Sequence, residues 1–196
     1  MNPFPMRIAL VGMRGSGKTS LAKCIFQKWN LPLLDADSIL ESRLNMSIRE
    51  MFETQGEAWF RDREVECLAE ITKGESWVLA TGGGVILREE NRVCLNKRGD
   101  VVWLDATPET LAARVVGDPW SDNGRPPLDG TLMANNNPSR PYEAVRVELA
   151  TVLTNRLDLY RNAANIRLDA NQGSPEQLLE QLEHKLENRI VPEEMD

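Results

Sequence analysis

Eight consecutive residues constrain this chain more than anything else in it: Gly12-Met13-Arg14-Gly15-Ser16-Gly17-Lys18-Thr19. They follow the pattern G-x-x-x-x-G-K-[ST]. A short apolar run, Arg7 to Val11, precedes them, and helical spacing from Lys18 to Trp29 follows. A loop joining a strand to a helix is the context in which this pattern has a mechanism. Its glycines let the backbone curl until successive N–H groups point at phosphate oxygens. The helix adds the positive end of its dipole. Lys18 is spaced to reach the β- and γ-phosphates of a nucleotide, and the Thr19 hydroxyl is placed for Mg²⁺. Gly15, Ser16, Gly17 and Ser20 belong to the same cradle.

The rest of the chain alternates apolar runs with helical patterns, which predicts a parallel sheet with helices between its strands. Strands are expected at 7–11, 31–34 (ending at Asp35), 77–80, 101–104 and 166–168. Helices are expected at 18–29, 36–45, 47–54, 57–73, 89–97, 108–115, 142–161 and 175–188. Ser47 and Glu50 form the S-x-x-E pattern of a capping box. Pro follows a good N-cap at Thr107-Pro108 and at Ser174-Pro175. Residues 117–141, rich in Gly, Pro and Asn, read as a long irregular loop, the kind often used as a lid. The last residues, about 190–196, are acidic and expected to fray.

Composition removes several classes. With 23 basic and 30 acidic residues the net charge is −7. A general binder of nucleic acid or anionic membrane needs a basic surface, so neither partner is expected. No apolar run approaches the roughly 20 residues that span a bilayer. No signal peptide is expected at the N-terminus, and the chain is expected in the cytoplasm. Cys24, Cys67 and Cys94 are widely spaced and read as buried or half-buried thiols of a reducing compartment. A single histidine, His184, rules out His-rich metal sites and Ser-His-Asp triads. Asn96-Lys97-Arg98-Gly99 has Gly where a guanine-binding N-K-x-D motif needs Asp. It reads instead as a helix end with Gly99 as its C′ residue.

In open α/β sheets, ligands bind beyond the carboxyl ends of the strands. Three such places stand out. Asp35-Ala36-Asp37 closes the second strand. If the segment stays extended, alternation aims both carboxylates the same way; the pair equally reads as a helix N-cap and a first-turn acid. Gly82-Gly83-Gly84 closes the third strand and reads as close approach to a ligand or as a tight turn. Arg61 and Glu64 share a helix face, as site residues or as a solvated ion pair.

Together these residues resemble the shikimate kinases. The resemblance runs through GMRGSGKTS (12–20), LLDADSILE (33–41), SIREMFETQGEAWFRDREVECL (47–68), VLATGGGVIL (78–87), VVWLDATPETLAAR (101–114) and NRLDLYRNAANIRLD (155–169). It covers nearly the whole chain in order. It implies one three-layer αβα domain over residues 1–196, with a five-stranded parallel sheet, a substrate-binding region at about 36–62 and a lid at about 116–141. The implied reaction transfers the γ-phosphoryl group of ATP to the 3-hydroxyl of shikimate, on the route to chorismate and the aromatic amino acids.

By resemblance, Lys18, Asp37 and Arg125 would be the catalytic residues. Asp37 would bind the shikimate hydroxyls as the candidate base. Asp35 would help Thr19 place Mg²⁺ through water. Arg61 and Arg156 would pair with the shikimate carboxylate, Gly83 and Gly84 would offer backbone contacts, and Glu64 would sit near the hydroxyls or hold Arg61. Arg114 would lie against adenine. A carboxylated acceptor suits guanidinium forks, which pair with carboxylate bidentately. The family's R-P-L-L lid motif is altered here to Arg125-Pro126-Pro127-Leu128, and Arg140-Pro141 is a second candidate for the lid arginine. The resemblance also implies a monomer. The competing readings are a gluconate-kinase-like enzyme, a non-catalytic nucleotide-binding relative and, least, a switch GTPase.

Overall fold

The computed structural model describes residues 6–117 and 141–190. A five-stranded, all-parallel sheet runs in the order β2-β3-β1-β4-β5. The strands are β1 (Arg7–Val11), β2 (Leu33–Asp35), β3 (Trp77–Ala80), β4 (Asp100–Asp105) and β5 (Ile166–Asp169). The helices between them are α1 (Lys18–Trp29), α2 (Ala36–Leu44), α3 (Ile48–Gln55), α4 (Glu57–Ile71), α5 (Glu89–Arg98), α6 (Pro108–Gly117), α7 (Tyr142–Ala163) and α8 (Pro175–Ile190).

Sequence explains which strands sit centrally. Between their first and last residues, β1, β3 and β4 are uninterrupted apolar runs, and they are buried on both faces, as parallel strands covered by helices must be. In β5 the buried residues Ile166 and Leu168 alternate with exposed Arg167 and Asp169, which marks an edge. β2 starts two residues later than expected. Pro32 has no N–H to give the ladder; only its carbonyl takes part, accepting from Val78 N at 2.9 Å.

Helix boundaries follow local chemistry. Ser47 and Glu50 make the capping box in both directions. Asn30 and Asn45 end α1 and α2 in the left-handed conformation that Asn tolerates. Gly99 does end α5, but it is extended instead of left-handed. Its glycine is needed for space, since a Cβ there would lie 2.6 Å from Arg7 Cβ.

Two apolar clusters result. The larger joins the sheet to α1, α5, α6, α7 and α8. A smaller one, Leu40, Ile48, Met51, Phe60 and Cys67, ties α2, α3 and α4 to each other. That second core holds the helices beside the carboxyl end of the sheet. Among the described residues, no helix is long and apolar enough to cross a membrane.

Candidate active site

Because every strand is parallel, the segments leaving β1, β2, β3, β4 and β5 emerge along one edge of the sheet. The loop after β1 is shaped by Gly12, Gly15 and Gly17, at φ of 147°, 79° and 96°. Gly12 could hold no side chain: a Cβ would stand 2.7 Å from Leu104 O. Gly15 is pressed against α6, with Leu111 O and Val115 Cγ2 each 3.0 Å from its would-be Cβ. Gly17 caps α1 without any side-chain hydrogen bond, and no acid occupies the first turn. The first amides of α1 are therefore open to an anion. The Ser16 hydroxyl, fully buried, has no hydrogen-bond partner among the described residues. Lys18 Nζ lies across the loop and donates to Gly12 O and Met13 O, both at 2.9 Å. This is a built oxyanion cradle.

On the β2 side, Asp35 is the N-cap of α2, its Oδ1 accepting from Ser38 N at 3.1 Å. Asp37 lies inside the first turn of that helix. The expectation of two carboxylates alternating along an extended segment does not hold, because the chain turns helical at Ala36. The Asp37 carboxylate instead faces the β3 turn, where a Cβ on Gly82 would sit 2.8 Å from its Oδ1.

The three glycines each give way to a different neighbour. Gly82 makes room for Asp37. Gly83 lies against the phosphate loop, its would-be Cβ 3.4 Å from Arg14 N and 3.5 Å from Gly12 O. Gly84 is overlaid by the Arg61 guanidinium, with Nη1 2.7 Å from where a Cβ would stand. The segment continues as a single 3₁₀ turn, Val85–Leu87, where the sequence pattern predicted no element.

Arg61 is not a solvated partner of Glu64. Their side chains are only 11% and 6% exposed. Arg61 Nη1 donates to both Glu64 oxygens, at 2.9 and 3.1 Å, and Arg61 also reaches Glu57 at 3.2 Å. Phe60 and Phe52 lie under its guanidinium, with ring centres 5.0 and 5.8 Å from Cζ. Burial pushes the Glu64 carboxyl above its ordinary value; Arg61 opposes this, and Asp37 and Glu57 add to it. Asn91, almost fully buried on α5, donates to Val85 O at 3.0 Å and stands 3.5 Å from Glu64 Oε2.

Arg156 approaches from α7. It is 8% exposed and donates to Gly83 O at 3.3 Å. Burial lowers its pKa, the Tyr160 side chain opposes that, and the Arg61 charge adds to it. A guanidinium nevertheless stays protonated. Two arginines thus flank consecutive glycines, Gly83 and Gly84, one residue from the Asp37 carboxylate at Gly82.

The structure also places Arg14, Asn91 and Tyr160 in this region, none singled out from sequence. Tyr160 carried a readable signal: it lies one helical turn after Arg156 on the same face. Asn91 carried none. Thr19 is exposed on the first turn of α1, and Arg114 is half-buried on α6, the helix whose Leu111 and Val115 lie against Gly15. Arg125 and Arg140, the two lid candidates, lie outside the described residues.

The donor set fits a hard divalent cation. A Thr hydroxyl and an aspartate oxygen are the oxygen ligands that Mg²⁺ prefers, alongside water and phosphate. No cluster of three or more His, Cys, Asp or Glu residues suited to a metal exists among the described residues. Any Mg²⁺ here would depend on the nucleotide for ligands.

A phosphate cradle at the switch between β1 and its neighbours, facing a small polar acceptor site, defines a P-loop kinase of small molecules. Comparison with known proteins narrows the class. The shikimate kinase family model matches residues 14–187. The shikimate kinase of Rhodopirellula baltica is 38% identical over 175 residues, covering 89% of this chain and 87% of that protein. That of Symbiobacterium thermophilum is 35% identical over 184 residues, covering 94% and 98%. The solved shikimate kinase from Acinetobacter baumannii in complex with shikimate superimposes with a TM-score of 0.81 at 33% identity, covering 96% of this chain and 97% of that one. The chain belongs to the shikimate kinase family.

Proposed function

We propose that this chain carries out the family's reaction, passing the γ-phosphoryl group of ATP to the 3-hydroxyl of shikimate with release of ADP. The observation that carries the reading is the buried pair Arg61 and Arg156 around Gly83 and Gly84. That pair is a fork for a carboxylate, held against the phosphate loop and beside an aspartate. A carboxylated polyol is the acceptor such a site selects. Asp37 orients the attacking hydroxyl and takes its proton. Gly82 lets the carboxylate approach, and Gly83 and Gly84 line the acceptor with backbone. Glu64 holds Arg61 in place.

On the other side, the loop amides from Gly15 to Ser20 and the Ser16 hydroxyl hold the phosphates. Lys18 swings from the loop carbonyls to the transferring group and neutralises its charge. Thr19 and Asp35 would hold Mg²⁺, Asp35 through water, and the ion would offset charge on the β- and γ-phosphates. Arg114 lies against adenine. Arg125 supplies further positive charge to the phosphoryl group, ahead of Arg140. Arg125→Ala is therefore expected to lower kcat far more than Arg140→Ala, and the opposite order would exchange the two. Residues 36–62 form the acceptor region, 116–141 the lid, and the whole is one domain acting as a monomer in the cytoplasm.

The test is ADP release from Mg-ATP with and without shikimate, with gluconate and nucleoside monophosphates as controls. Strong stimulation by shikimate alone is expected. A response to gluconate or a nucleotide in its place would move the chain to another small-molecule kinase. ATP binding with no acceptor response would make it a non-catalytic relative.

A further inference from the structure

Gly83 sits between the two halves of the site. One side of it faces the phosphate loop, where a Cβ would stand 3.4 Å from Arg14 N and 3.5 Å from Gly12 O, and its carbonyl faces α7. What holds that carbonyl is Tyr160. Its hydroxyl donates to Gly83 O at 2.6 Å, a shorter bond than the 3.3 Å one from Arg156. The same hydroxyl accepts a hydrogen bond from the Arg156 side chain. Both capacities of the phenol are therefore used, one on each partner.

The ring has no freedom to aim elsewhere. Tyr160 is completely buried and stacks on Trp103 of β4, with ring centres 5.8 Å apart and planes within 5°. The stack is rigid because β4 is central in the sheet. Burial pushes the phenol far above its ordinary pKa, so it remains a proton donor wherever the enzyme works. Packing alone would be served as well by phenylalanine. The hydroxyl earns its desolvation only through these two partners.

We infer that Tyr160 is a positioning residue for the acceptor: through one buried hydroxyl it fixes the Gly83 peptide and the Arg156 guanidinium relative to each other. It touches neither substrate. It sets where the carboxylate fork stands relative to the phosphate loop. The inference rests on the shikimate kinase reading of the site.

The experiment compares steady-state kinetics of the wild type, Tyr160→Phe and Trp103→Phe, with shikimate and ATP varied in turn. Tyr160→Phe should raise the shikimate KM about tenfold, the scale of one lost hydrogen bond to a charged group. Its ATP KM should stay within about twofold by the same reasoning, since the phosphate cradle is untouched. Trp103→Phe keeps the hydroxyl, so it should lower Tm while moving the shikimate KM much less.

A wild-type shikimate KM in Tyr160→Phe overturns the inference. So does an equal rise in both KM values, or the same rise in Trp103→Phe, since either is what a merely structural residue would give. A wild-type enzyme that ignores shikimate would instead overturn the underlying reading, and this inference with it. One readout needs no variant at position 160. The chain has 2 tyrosines, so ¹³Cζ-tyrosine labelling gives two signals, assigned with Tyr142→Phe. Shikimate should shift the Tyr160 signal, and an unmoved signal at saturation counts against the role.

Discussion

The phosphate side and the acceptor side of this site are built by different means. The phosphate side is one stretch of eight residues, and its working groups are mostly backbone amides shaped by three glycines at positive φ. The proposed acceptor side is assembled from side chains on α2, α4, α7 and the turn after β3. These elements are separated by tens of residues, and each arginine is held by a neighbour on its own helix. Glu64 grips Arg61, Tyr160 grips Arg156, and Gly83 receives both Arg156 and Tyr160. A backbone cradle serves any nucleoside triphosphate. A side-chain fork can be tuned to one acceptor.

The contrast breaks most sharply at Lys18. Lys18→Met should cut kcat by about 10³-fold or more, the scale of losing a preorganised charge at a transferring group. Tm should change little, since Lys18 Nζ bonds to the loop carbonyls of Gly12 and Met13 and joins no other element of the core through them. Near-normal turnover would show that the cradle works by backbone alone.

Arg61→Ala should act on the acceptor instead. A lost charged hydrogen bond of about 1.5–3 kcal/mol raises the shikimate KM roughly tenfold to a hundredfold, with the ATP KM unchanged. It also strands Glu64 inside the protein, so Tm should fall. Combining it with Glu64→Gln should recover Tm but not KM. Recovery of both would mean that the pair is structural only.

Gly84→Ala is subtler. Gly84 has an ordinary φ of −97°, so the backbone accepts alanine. The nearest atoms the new methyl meets are those of the Arg61 guanidinium. Displacing one rotamer costs about 0.5–1.5 kcal/mol, so the shikimate KM should rise roughly threefold to tenfold. Tm should fall by about 1–6 °C, at about 2–4 °C per kcal/mol for a chain of this size. A large Tm loss would show that the turn, not the arginine, yields.

The smallest effect is a slope. Burial raises the Glu64 carboxyl above its ordinary value of 4.5, so the folded chain holds this proton more tightly than the unfolded chain. Its contribution to stability is complete below that ordinary value and is lost as pH rises through the folded value. The Tm of the wild type relative to Glu64→Gln should therefore decline with rising pH across that window. A rising difference would mean that the Arg61 charge outweighs burial.

Much of this was legible in the chain. The loop from Gly12 to Thr19, the order of strands and helices, and the Ser47–Glu50 box depend on neighbours in sequence. The candidate acceptor residues Asp37, Arg61, Glu64 and Arg156 were reached through ordered motifs. What their surroundings look like was not reached. Spacing left Arg61 and Glu64 as readily on a solvated face as in a buried one, and only the packing of α4 against Phe52 of α3 and Asn91 of α5 decides between them.

By itself the sequence determined the phosphate cradle, because its conformation is local: glycine freedom, one helix terminus and two side chains in fixed order. It determined the parallel sheet, because apolar runs and helical patterns alternate. Only the tertiary structure decided that three consecutive glycines yield to three different partners, that Asp35 caps a helix while Asp37 turns to Gly82, and that Tyr160 ties α7 to the loop after β3. Those are contacts between segments far apart in the chain. They are set by close packing and by the need to satisfy buried polar groups, which no local pattern encodes.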